Sequence, residues 1–534
     1  MYVTKTQIII DCCKRNFVMT KEAKKDYSLG FAGVALLVAE TIILISSGGF
    51  FEETVMLAGV MVAVLSVCKL SSIRISLSQF FFFLFAVWYF FCSVRNGFVL
   101  EYTARGLIPT VVFIFWIFIS ACDMNRKKLA DILLEISVWI ALVAVVHCLV
   151  ISLGASALLR LRFPFDYPNA CGIYFAVCYF AADKSGSKFI RKAKYLFLLS
   201  LLLTQSVGSI GIFVLALIYE LIINKEYKKL VLTAVILSVL LFLLRERVWE
   251  SMGTFLERLL HIYDGGLCIA DNPIFGIGAG WWEIAKQYYQ TGFYMANTIH
   301  SSIIQVGVNS GIIGMLLFFA AVAFEIRYCF KTGKNALVPI MILVHSLFDF
   351  TLSFLGVNIF LLLMFDTGRS DKELLLKPIA RSFAGILLAL SFGFVAFGLY
   401  NSALFQKSLS EYKDLSVVSE RYNESYTLNK SIKSVRSYAA SLYTEKYYDV
   451  NTSFANYKYL PLEIILYQSL SENKGGEYLT EQFKGQPYNT ALRDIITKDF
   501  KGDTSDEVNC IVSNAADTAS YFGKILYKLK GENI

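Results

Sequence analysis

Residues 132–153 read ILLEISVWIALVAVVHCLVISL, 22 positions in which Glu135 is the one carboxylate or cationic side chain. Coiled into an α-helix, such a stretch is about 33 Å long, enough to cross the roughly 30 Å hydrocarbon core of a bilayer. The pattern recurs. Apolar runs fall at 29–47, 52–70, 76–94, 106–122, 132–153, 168–183, 194–208, 209–224, 229–244, 300–324, 336–351, 354–367 and 382–400. They predict an all-α polytopic transmembrane helix bundle of about 12–13 spans. Two long runs set the count. Ser206, Gly208, Ser209 and Gly211 predict a break within 194–224, and Ser353 and Gly356 predict another within 336–367.

Composition agrees with this class. The chain is 56% hydrophobic and only 17% charged, with 44 Phe, whereas soluble domains carry about a quarter charged residues. No single soluble core buries that much apolar surface. The net charge of +8 does not point to nucleic acid, because most of the excess sits in short loops between the runs, where the positive-inside rule expects it. The basic clusters before the first run, and after the second, fourth, sixth, eighth, tenth and twelfth, fall on one side only if both long runs are split. That places the N-terminus in the cytoplasm and the C-terminus outside. The expected organisation is a cytoplasmic tail at 1–28, a transmembrane domain at 29–400 with a long outer loop at 245–299, and an extracytoplasmic domain at 401–534. In the last, 408–448 and 505–530 read as amphipathic helices. Residues 1–28 are mixed and Lys-rich, so they do not read as a cleavable signal. Most of the 11 cysteines lie in or beside apolar runs and behave as small hydrophobes. No spacing among them resembles a zinc site or a disulfide framework.

On this topology Arg160, Arg162, Arg245, Arg247 and Arg258 lie near the outer face, against the usual bias. Arginine is the side chain best suited to bidentate phosphate binding, although interfacial arginines also snorkel. The segment DNPIFGIGAGWWE (271–283) combines the turn Asn272-Pro273 with Gly276, Gly278 and Gly280. It reads as a structured re-entrant loop, and lacks the strand and spacing of a dinucleotide site. His300 opens a span at the outer side, where an imidazole can act as a base near neutral pH. His345 and Asp349 are four apart and are expected on one helix face. Ionisable groups at membrane depth tend to be paired or functional.

In order and spacing, these features resemble the O-antigen ligase and polymerase family of bacterial cell-surface polysaccharide enzymes. Arg162 precedes Tyr167-Pro168-Asn169-Ala170. Arg258 precedes Asn272-Pro273-Ile274-Phe275-Gly276-Ile277-Gly278. His300-Ser301 is followed by Ile303-Ile304 and Gly311, and His345-Ser346-Leu347-Phe348-Asp349-Phe350 completes the set. The likeness covers roughly 150–367. It departs at Thr204-Gln205-Ser206-Val207-Gly208, where the family often has Arg in place of Val207.

The resemblance implies transfer of a glycan from an undecaprenyl-diphosphate carrier to an acceptor hydroxyl, with inversion, at the outer face of the cytoplasmic membrane. Arg160, Arg162 and Arg258 would hold the diphosphate, and His300 would be the base. Asn272, Gly276, Gly278, His345 and Asp349 would support the site. No metal and no cofactor are expected. The expected partners are the lipid-linked glycan, a glycan or lipid acceptor and the bilayer, with no nucleic acid. Ligase and polymerase are not separated by these motifs. A transporter or lipid flippase is the alternative of another class, but it would normally show paired interrupted helices around midplane charges.

Overall fold

The computed structural model describes residues 30–411 with breaks at 71, 74, 122–125, 156–157, 234, 236–244, 293, 295, 333–335, 366–373 and 376. It also describes 431–444, parts of 459–468 and 520–530. The expected tail 1–28, most of the run 229–244 and most of 401–534 lie outside the described residues.

The molecule is a polytopic helical bundle. Helices α1 (Gly30–Ile45), α2 (Glu52–Lys69), α3 (Leu77–Arg95), α4 (Leu100–Ala121) and α5 (Arg126–Ala155) open it. Then follow α6 (Pro168–Asp183), α7 (Lys188–Leu203), α8 (Val207–Ile223), α9 (Arg245–Asp271) and α10 (Trp282–Tyr289). Last come α11 (Ser302–Lys331), α12 (Leu337–His345), α13 (Leu355–Met364), α14 (Pro378–Glu411), α15 (Ile432–Thr444) and α16 (Tyr521–Lys530). Among these, α3, α4, α11, α14 and most of α5 are each long and apolar enough to cross a membrane. A two-residue antiparallel pairing joins Ser72–Ile73 to Leu374–Leu375, with Ser72 opposite Leu375.

Local chemistry sets the helix boundaries. Ser76 and Gln79 form a reciprocal capping box at the start of α3, satisfying two of the amides a helix start leaves open. Ser187, Ser206 and Ser301 cap α7, α8 and α11, each accepting an amide from the first turn. Pro168 occupies the first turn of α6, where its missing N–H costs nothing.

Both expected breaks are present. The run 194–224 parts at Thr204–Ser206, with Gln205 at φ +50°. The run 336–367 parts between His345 and Leu355, through a short 3-10 turn at Thr351–Ser353. Each half, α12 and α13, is about 14–15 Å long, roughly half a hydrocarbon core. Asp349 therefore does not share a helix face with His345. The helix ends first, and Asp349 sits in the turn between the halves. The stretch 245–299 also differs from a plain loop, since α9 alone takes 27 residues of it.

Two groups of helices pack side by side. In one, α2, α3, α4 and α14 pack together, with α11 against α3; in the other, α6 packs on α7, α8 and α12, and α5 on α7. Lipid provides little hydrophobic drive for such packing, so shape fit and buried polar bonds carry it. At the centre is α6, almost entirely buried. By contrast Ile379, Phe383, Leu390 and Phe394 of α14 are exposed, as expected of a helix facing lipid.

Candidate functional site

The start of α6 and the α12–α13 break meet in a buried polar network. Asn169 is at its centre. Its Nδ2 donates to Asp349 Oδ2 at 2.9 Å and to the Tyr167 hydroxyl at 2.8 Å. Its Oδ1 accepts from Arg160 Nη2 at 3.2 Å and from Ser206 Oγ at 2.9 Å. The amide's full capacity of two donors and two acceptors is thus used. Asp349 Oδ2 also accepts from Tyr167 at 3.1 Å and pairs with Arg258 Nη2 at 3.2 Å, while Oδ1 accepts the Phe350 amide at 2.8 Å. Arg258 Nη1 donates to the Phe348 carbonyl at 2.9 Å. A chain Arg160–Asn169–Asp349–Arg258 therefore ties two of the predicted arginines together through one carboxylate.

His345 fixes the other side of the network. Its Nε2 lies 3.1 Å from Ser209 Oγ and its Nδ1 is 2.5 Å from Thr351 Oγ1. Ser209 donates its proton to the Asn169 carbonyl at 3.1 Å. It then accepts from His345 Nε2–H, and His345 accepts from Thr351 at Nδ1. His345 is a structural link between α12, α8 and the Thr351 turn.

His300 lies just before the Ser301 cap of α11. Its ring packs on Phe350, centroids 5.1 Å apart, next to the carboxylate that holds Arg258. Its Nδ1 is buried with no hydrogen-bond partner among the described residues. Burial pushes its pKa down to about 4, with Asp349 opposing and Arg258 adding to the shift. The imidazole is therefore neutral at pH 7, with a lone pair available for a proton but a lower proton affinity than an ordinary histidine. The Ser302 amide donates to the Ser346 and Asp349 carbonyls at 2.9 and 3.0 Å, which locks the start of α11 to the same turn.

The remaining predicted residues divide. Arg162 is exposed on the loop before α6, and its carbonyl accepts from Cys171 Sγ. Asn272, Gly276 and Gly278 are not brought into this network. Asn272 Nδ2 donates to the Cys268 carbonyl and the Tyr289 hydroxyl, at 3.1 and 3.2 Å. Residues 273–278 instead plug a kink in α11. Ile277 and Gly278 amides donate to the Val308 and Asn309 carbonyls at 2.8 and 3.1 Å, and the Ile312 amide donates back to Pro273 at 2.8 Å. Gly276 (φ +61°) and Gly311 (φ +67°) make the fit possible. A Cβ on either would lie 2.3 Å and 2.2 Å, respectively, from the carbonyl oxygens of Val308 and Ile274.

Sequence reasoning did not assign Tyr167, Asn169, Ser206, Ser209 or Thr351 to the site. The signals were the turn 167–170 and the polar break after α7.

A cavity of about 220 Å³ adjoins the site on the Ser302 and Leu352 side. Phe82, Phe85, Trp116 and Phe318 line it, together with the polar Arg105, Gln305, Asn309 and Glu325.

Residues 193–319 match the family model described as O-antigen ligase. The chain carries an O-antigen ligase domain. The match is confined to that stretch; it supports an O-antigen ligase or polymerase type of function in polysaccharide biosynthesis, and the long apolar helices support a multi-pass position in the inner membrane. No curated protein matches the chain. The matched stretch of the ligase domain contains Arg258, the 272–278 plug, His300 and Gly311. Asn169, His345 and Asp349 complete the network from outside it.

Proposed function

We propose that this protein transfers a glycan from undecaprenyl diphosphate to an acceptor hydroxyl at the outer face of the cytoplasmic membrane. The observation that carries the reading is the convergence of Arg258 and His300 on one turn, 348–350. A fixed cation and a neutral imidazole with a lone pair available for a proton are the two groups such a transfer needs. The diphosphate leaves already ionised, so it calls for preorganised positive charge more than for an acid. Arg258, held by Asp349, supplies it with Arg160 and Arg162. The acceptor oxygen attacks the anomeric carbon as the carbon–oxygen bond to the diphosphate breaks, and His300 takes the hydroxyl proton. One direct displacement inverts the anomeric centre, and no step needs a metal. The adjoining cavity, lined mostly by apolar side chains, suits a hydrocarbon chain of a lipid-linked substrate. On this reading 1–28 is cytoplasmic, 29–400 is the transmembrane domain, and 401–534 lies outside as a separate domain. The α14–α15 contact brings part of that domain to the bundle.

The test is mass spectrometry of lipid extracts from cells lacking the protein, complemented with wild type, Arg258→Ala or His300→Ala. Long glycans on undecaprenyl diphosphate, cleared by wild type alone, identify a ligase using this site. Accumulated single repeat units identify a polymerase. A lipid-linked pool that does not respond to the protein overturns glycan transfer.

A further inference from the structure

The chain has 4 histidines, and His261 has no part in the chemistry above. It lies on α9 three residues after Arg258, so both side chains leave the same helix face. The ring is fully buried. The His300 imidazole lies almost parallel to it, with centroids 5.1 Å apart and planes 13° from parallel. The His300 main-chain N–H donates to His261 Nδ1 at 3.4 Å. A neutral His261 therefore carries its proton on Nε2. Tyr294 packs edge-on against His261 at 4.1 Å, and Phe350 covers His300 at 5.1 Å. The result is one aromatic stack, Tyr294–His261–His300–Phe350, whose members come from α9, the loops before α11 and the α12–α13 break.

We propose that His261 is a positioning residue for His300: its ring holds the base flat in a water-poor stack, and its Nδ1 anchors the main chain at the base itself. The inference rests on the reading of His300 as the base. It adds a reason why α9 delivers a second ring beside Arg258. Among the described residues, Arg258, Asp349 and Lys286 are the charged groups that act on the pair. Arg258 and Asp349 act on His300; His300, Lys286 and Arg258 act on His261. One turn further along α9, the Asp264 carboxylate accepts the Thr291 hydroxyl at 2.6 Å. Burial is the largest influence on both rings and takes His261 down to about 2. Neither ring of the stack is charged at pH 7, so both remain packed as neutral aromatics. Removing the His261 ring opens the stack to water, which relieves the desolvation that keeps His300 neutral.

The test follows ring signals of histidine-labelled full-length protein in detergent micelles by NMR, between pH 4 and 8. Wild type, His261→Ala and His261→Phe are compared, with His300→Gln assigning the signal. In wild type the His300 signal stays in its neutral form down to about pH 5. In His261→Ala its midpoint rises by about one unit or more. In His261→Phe, which keeps a ring in the stack, the midpoint stays within a few tenths. If the alanine variant does not accumulate, His261→Asn serves the same comparison, because it keeps an acceptor near Nδ1 but lacks the ring. In complemented cells His261→Ala clears the lipid-linked pool about tenfold to a hundredfold less well than wild type. An unmoved His300 midpoint in the folded Ala or Asn variant overturns the positioning role. A wild type that clears no lipid-linked pool overturns the transfer reading alone, and the titration still decides what His261 does.

Discussion

Two turns in this protein look alike in sequence and do different work. Tyr167-Pro168-Asn169 and Asn272-Pro273-Ile274 each pair an asparagine with a proline beside a helix end. In the first, the Asn169 side chain is buried and bonds Asp349, Tyr167, Arg160 and Ser206. In the second, Asn272 bonds its own helix end and Tyr289, and the backbone that follows fills the kink of α11. One turn builds the polar centre and the other builds a joint. The difference teaches that a recurring Asn-Pro signal gives the location of a turn but not its duty. The duty is decided by what the fold places opposite the side chain.

The comparison is broken most severely at Asp349. Replacing it with alanine leaves the Arg258 cation without its carboxylate and strips an acceptor from Asn169 and Tyr167. Removing one partner of such a buried pair costs about 3–5 kcal/mol. Asp349→Ala is expected to lower the unfolding free energy in detergent by that order and to abolish clearance of lipid-linked glycan. A variant as stable as wild type would show that the Arg258 pair is dispensable to the fold.

Asn169→Ala comes next. It frees Ser206 and Arg160 from their shared acceptor and costs about 1–3 kcal/mol. Its mark is a loss of transfer larger than the loss of folded protein, because the link between Arg160 and Asp349 goes with it. Measuring clearance per folded molecule separates the two effects, and an equal loss of both would reduce Asn169 to a packing role.

Gly311→Ala probes the joint. A Cβ there would lie 2.2 Å from the Ile274 carbonyl oxygen, at a φ of +67° that side chains rarely adopt. The strain is about 1–3 kcal/mol, read as a lower denaturation midpoint. Clearance per folded molecule is expected to hold. If it collapses while the fold survives, the joint sets the position of His300 and the two turns are not separate in function.

The sequence carried the helices and their breaks well, since these are local. Pro168 marked the start of α6, and small and polar residues marked the gaps after Leu203 and before Leu355. Arg258, His300 and Asp349 were legible by type and order, and they do converge. The pairing of His345 with Asp349 was misjudged because a four-residue spacing assumes an unbroken helix, and α12 stops at His345. Asn272, Gly276 and Gly278 read as site residues because a glycine needed for close backbone approach looks the same whether it approaches a ligand or another helix. Asn169 and His261 were hidden for another reason. Their partners are Asp349, 180 residues away, and His300, 39 away, and no periodicity connects such positions.

The smallest expected effect lies at Asn272, and it is the sharpest test of the contrast. Its side chain donates to the Cys268 carbonyl and the Tyr289 hydroxyl, away from the Asp349 carboxylate and its partners. Asn272→Ala removes both bonds and leaves the main-chain bond from Gly276 to the Asn272 carbonyl in place. The cost is about 1 kcal/mol, seen as a small drop in thermal midpoint, with clearance per folded molecule equal to wild type. Asn169→Ala and Asn272→Ala delete the same chemical group beside the same kind of turn. If both silence transfer, the two turns belong to one site and the plug must be redrawn as part of it. If only Asn169→Ala does, the division between a polar centre and a joint stands on function as well as on geometry.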